Sequence, residues 1–122
     1  MAILVYKIIH LTGIAMTLMA LGGLMVHAIA GGQKADLSWR KPVMATHGIG
    51  MFLVLLGGFG MLARLGIHWP WPGWVFVKFG VWLLLGAFTV PIYKSPSRAK
   101  GLWLALVVLF VLAAYMALYK PF

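Results

Sequence analysis

The chain has no cysteine in its 122 residues, which excludes disulfides, thiolate metal sites and iron–sulfur ligation. Acid is nearly as scarce, since Asp36 is the single carboxylate side chain. The apolar segments therefore hold no Asp or Glu to carry protons or bind sodium, as membrane pumps and ion-coupled transporters require. General acid–base work falls to His, Lys or Tyr. Charge of either sign is sparse at 9%, against 64% hydrophobic residues. That balance is too apolar for a soluble domain and marks an integral membrane protein short enough to be one unit, residues 1–122.

Ten basic side chains accompany the lone acid. They sit at the ends of apolar runs, where they mean topology and contact with anionic membrane lipid rather than nucleic acid.

Four spans are expected, at residues 2–30, 42–66, 73–93 and 98–118, packed up-down-up-down as an all-α transmembrane bundle. The small residues Ala28 and Ala30 before Gly31 and Gly32 have the look of a signal-peptidase site, but the barely basic start argues for a retained helix. Pro42 suits the first turn of the second helix. GIHWPWPGW at 66–74 joins helix-breaking prolines to an interfacial aromatic belt. Ser95 and Pro96 read as a cap and first-turn pair for the fourth helix. The linkers after spans one and three carry Lys34, Arg40, Lys41, Lys94, Arg98 and Lys100, and the opposite side has Lys7, Arg64 and Lys120. That asymmetry places both termini on the non-cytoplasmic side.

The second span holds His47 followed by Gly48, Gly50, Gly57, Gly58 and Gly60. His47, Gly50, Val54, Gly58 and Met61 recur at helical steps and share one face. Something approaches this helix closely, either another helix or a flat ligand. A hairpin of spans one and two centred near residue 36 would pair residues whose numbers sum to about 72, which sets His27 and His47 within a turn of the same height. Two imidazoles facing across a helix pair are what a b-type haem needs as axial ligands, and the face at Gly50 would leave room for its ring.

His10 and Lys78 form a second level, roughly 8–9 Å from the midplane toward the termini. Lys7 lies one turn before His10, and Arg64 ends the second span nearby, so this basic cluster suits haem propionates or an anionic headgroup. Plainer roles stand beside these. The glycines serve close helix packing, the histidines are satisfied polar groups, and Lys78 snorkels. Thr17 bonds within or between helices, His68 faces solvent in its loop, and the methionines fill gaps.

KIIH at 7–10, the histidine closing the same span (His27), and WVFVK at 74–78 ahead of a Leu-rich run resemble the small haem-associated membrane proteins grouped around HemJ-type protoporphyrinogen oxidase, CopD copper-resistance proteins and SirB-like proteins. The resemblance implies that His10 and Lys78 are haem-site or catalytic positions and that His27 matches the closing histidine. It points to haem b as cofactor and to oxidation of a porphyrin or quinone, or electron transfer, in a bacterial inner membrane. A different class of reading is an accessory subunit of a respiratory or photosynthetic complex, with the glycine faces used for packing or pigment. Copper handling by His and Met is a third. The glycine-rich spans favour a homodimer or a larger assembly.

Overall fold

The computed structural model describes residues 2–121, the side chain of Lys34 excepted, and is all-helical among them. In chain order it has α1 (Ile3–Ile29), a 3-10 turn (Lys34–Asp36), α2 (Arg40–Arg64), α3 (Gly73–Ala87) and α4 (Pro96–Tyr119). α1, α2 and α4 are long and apolar enough to cross a membrane, while α3 is a shorter apolar helix.

Local chemistry fixes most of the helix ends. Gly31 and Gly66, at φ 89° and 72°, occupy the left-handed position that a side chain would resist. Beyond each, two backbone bonds return to the last turn: Gly32 N–H to His27 O with Gly31 N–H to Ala28 O, and Ile67 N–H to Leu62 O with Gly66 N–H to Ala63 O. Both are Schellman closures, which satisfy carbonyls a helix end leaves open. At the start of α4, Ser95 Oγ accepts from Arg98 N–H at 3.0 Å, with Pro96 in the first position, as the sequence implies. Pro42 sits in the first turn of α2, also as expected.

The third helix departs from expectation. It stops at Ala87, and 15 residues rise only about 22 Å, short of the roughly 30 Å hydrocarbon thickness. Pro91 is the cause, because its ring would collide with the carbonyl four residues back, at Ala87. The chain then turns through 88–94 before α4, and Phe88 and Ile92 drop into the core.

α1 and α2 form the tightest pair. Gly50 faces the backbone of Gly13 and Thr17, Gly57 faces His10, and Gly60 faces the Tyr6 ring. A methyl group at Gly13 would stand 2.5 Å from Val54 N, and one at Gly57 2.5 Å from His10 N, so these backbones touch only because no side chain intervenes. α4 packs on α1 and on α3, whereas the α2 and α3 backbones barely approach.

Two apolar clusters result. One joins Leu21, Leu24, Met25 and Ala28 of α1 to Phe88, Ile92, Ala99 and Leu106. The other joins Trp74 and Val75 of α3 to Met116 of α4, with Leu62, Ile67 and Trp71 against them. The first lies in the distal half, beside the 31–39 and 88–95 connections. The second lies in the terminal half, beside both chain ends and the tryptophan loop.

Candidate functional site

The α1–α2 contacts set the register of the hairpin. Tyr6 meets Gly60, His10 meets Gly57 and Thr17 meets Gly50, so facing residues have numbers summing to 66 or 67 rather than about 72. His47 is then level with residue 20 of α1, and His27 is seven residues further along, on the order of 10 Å at 1.5 Å per residue. The two imidazoles expected at one height are two turns apart. The reason is physical: the Schellman turn at Gly31 and Gly32 reverses the chain at the very end of α1, and the glycine contacts pull α2 into the closest register available.

Each of those histidines is already engaged. His27 Nδ1 shares a hydrogen bond with the Tyr93 hydroxyl at 2.8 Å, the rings meeting edge-on at 5.6 Å. His47 is buried, and its Nε2–H donates to the Leu85 carbonyl at 3.2 Å. Leu85 lies in the last turn of α3, where Pro91 has prevented the next turn from supplying N–H donors. His47 thus fills an acceptor that the broken helix exposes, and Thr89 Oγ1 does the same for Gly86 O at 3.3 Å. At membrane depth such carbonyls have no water to turn to. A bis-histidine haem between His27 and His47 does not fit these residues, and the space beside Gly50 is filled by α1 rather than left for a ring.

His10 and Lys78 are brought together instead. Both line a cavity of about 610 Å³ in the terminal half, bounded by the α1–α2 hairpin on one side and α3 and α4 on the other. Lys7, Lys120, Trp74 and Trp82 share its wall. His10 Nδ1 lies 2.8 Å from the Val54 carbonyl. A carbonyl only accepts, so Nδ1 carries a proton, and in the neutral ring Nε2 is the nitrogen left to accept a hydrogen bond or ligate a metal. Gly57 and Gly58 let the imidazole lie against α2, with a methyl at Gly58 standing 3.5 Å from His10 Cε1. Lys120, at the end of α4, holds its Nζ 5.4 Å from the Trp74 ring. Asp36 is far away in the distal connection, its carboxylate accepting from Gln33 N–H at 3.0 Å. The amines around the cavity therefore have no acidic side chain in their half of the molecule.

Arg64 is exposed in the last turn of α2 and does not line the cavity. His68 is exposed in the tryptophan loop. Among the described residues no group of three or more His, Asp or Glu side chains gathers as a metal cluster. The buried Thr17 hydroxyl finds no hydrogen-bond partner and lies against Gly50. Sequence reasoning missed Tyr93, Leu85 and the Trp82 indole, whose Nε1–H donates to Met51 O at 2.9 Å and ties α3 to α2. Pro91 was the one signal that carbonyls four to six residues before it would need outside donors.

Compared with protein-family models, curated proteins and solved structures, the chain matches none of them.

Proposed function

We propose that this is a small membrane haem protein that transfers electrons or oxidises a membrane-soluble substrate, with its haem b in the terminal-half cavity. One observation carries the reading: His10, its Nδ1–H fixed on Val54 O, borders the same apolar cavity as the lysines 7, 78 and 120, which have no acidic side chain near to neutralise them. His10 would hold the haem iron through Nε2, with Val54 O as the acceptor that orients the ring. Lys78, Lys7 and Lys120 would meet the carboxylates: Lys78 because an amine at its depth is stable only beside an anion or with its head drawn outward, and the exposed Lys7 and Lys120 because they stand at the cavity's rim. Trp74 and Trp82 would keep water from the ring. When bound, haem supplies one-electron chemistry at its iron, tuned by the axial ligand and by burial.

The resemblance carried by KIIH and WVFVK supports the same two residues and, by extension, a porphyrin or quinone substrate in an oxidase of protoporphyrinogen type. In that version a deprotonated Lys78 would take the substrate's protons, since both ring nitrogens of His10 would be committed and the one carboxylate side chain, Asp36, lies in the distal connection. The charge asymmetry of the connections supports termini on the non-cytoplasmic side, and the resemblance suggests a bacterial inner membrane.

An accessory subunit of a larger complex is the second reading. It is favoured by α4, which turns Leu104, Val107, Val108 and Val111 outward. The optical spectrum of the membrane-extracted protein decides between the two. A Soret band with a reduced-minus-oxidised α-band is expected. A colourless protein that co-purifies with other subunits would instead favour the accessory role.

A further inference from the structure

Three of the four seams around the cavity are bridged by direct contacts. α1 and α2 are joined by the glycine contacts. α2 and α3 are bridged by side chains, Trp82 to Met51 O and, toward the distal half, His47 to Leu85 O, and the loop before α3 adds the Phe59–Trp71 ring pair at 5.4 Å. α3 and α4 are joined by Trp74, Val75 and Met116.

The seam between α1 and α4 is different. In the distal half it is tight, with Leu21, Leu24 and Met25 packed in one core with Ala99 and Leu106. A methyl at Gly22 would stand 3.7 Å from the Trp103 ring. In the terminal half the cluster around Trp74 includes no α1 residue among those described. There α1 presents Lys7 and Leu11 to the cavity, and α4 presents Phe110 with the small side chains Ala113, Ala114 and Ala117. Leu11 and Phe110 are cavity-wall residues and yet 63% and 47% exposed, so they border the cavity and the surroundings at once. Lys7 and Lys120, both exposed, stand on the two banks near the helix ends.

We propose that the cavity is loaded sideways from the bilayer, through the cleft between the terminal halves of α1 and α4, and that Lys7 and Lys120 select molecules bearing an anionic group. The ligand class is a flat apolar body with a carboxylate at one edge. Its charge stays at the level of the lysines, where headgroups lie, while the body slides past Leu11 and the methyl groups of α4. The inference rests on the cavity being the binding site proposed above, but it concerns the route and is tested without haem.

The absence of cysteine makes the test clean. Ala114→Cys puts one thiol on the cavity wall of protein in phosphatidylcholine nanodiscs. It is exposed in turn to pyrene maleimide dissolved in the bilayer and to a sulfonated maleimide confined to water. Thiol ionisation affects both reagents alike, so their ratio reports the route. The bilayer-borne reagent is expected to react faster, and Leu11→Trp to slow it by about tenfold. Val108→Trp, on an α4 face away from the cavity, should leave the rate unchanged. Pyrenebutyrate in the disc should protect the thiol better than its methyl ester, and Lys7→Gln with Lys120→Gln should erase that difference.

The sulfonated reagent reacting as fast, no effect of Leu11→Trp, or a thiol that neither reagent reaches because another copy or a partner helix covers the cleft, would each overturn the route. Equal protection by acid and ester would overturn the charge selection. Hemin uptake is scored separately, so the expected labelling in a chain that takes up no hemin upholds the cleft and removes the haem reading.

Discussion

The two halves of the bundle solve opposite problems with the same residue types. In the distal half, histidines are used up: His47 closes the broken end of α3 and His27 latches the 88–95 connection through Tyr93. Around them the core is dense, with Leu21, Met25 and Ile92 wholly buried. In the terminal half, His10 spends one nitrogen on its own hairpin, and the bundle leaves a cavity instead of a core. A histidine in a membrane helix therefore says little by itself. What separates a strut from a site is whether a second ring nitrogen and some empty volume remain once the backbone has been satisfied.

The largest expected effect comes from breaking the wall the halves share. Gly50→Leu would drive a side chain into Gly13 O, 2.9 Å from where even a methyl would sit, and should cost about 3 kcal/mol or more. Gly48→Ala, which meets nothing within 4 Å, is the neutral control. Thermal unfolding in detergent reads both. If the two variants melt alike, the glycine register is wrong, and the placement of the histidines falls with it.

Next in size is His47→Ala, which leaves the Leu85 carbonyl without its donor in an apolar surrounding. About 2 kcal/mol is expected, with ligand binding retained. His10→Ala should show the reverse pattern, a loss of ligand binding with a smaller change in unfolding. A smaller effect, about 1 kcal/mol, is expected for Tyr93→Phe. It should vanish when His27 is already Phe, and a double-mutant cycle on unfolding free energies checks this. Additive losses would mean that the latch is not a pair. The smallest effect belongs to Thr17→Val, which removes a hydroxyl that makes no hydrogen bond. Unfolding should stay within about 0.5 kcal/mol of the parent or rise slightly.

Much of the architecture was legible in the sequence because it rests on local chemistry. The apolar runs located four helices. Ser95 and Pro96 marked the start of α4, and glycines at 31 and 66 coincide with the breaks after α1 and α2. Distance from the span centre put His10 and Lys78 at one level, and both line one cavity. The hairpin register was not legible, because it depends on which glycines of two helices meet, and Gly13 carries no mark tying it to Gly50. The role of His47 was hidden for a related reason. Its partner is a backbone carbonyl, which any residue supplies, exposed by a proline six positions further on. The expected length of the third span failed because its hydropathy continues past Ala87, while the backbone stops where Pro91 dictates.

The most direct test of the account is a hemin titration of the purified protein and of its His10→Ala and His47→Ala variants, followed by the Soret band. The account expects the wild-type chain and His47→Ala to develop the band together, and His10→Ala to lack it. A band that survives His10→Ala but disappears with His47→Ala would place the ligand in the distal half and contradict the account.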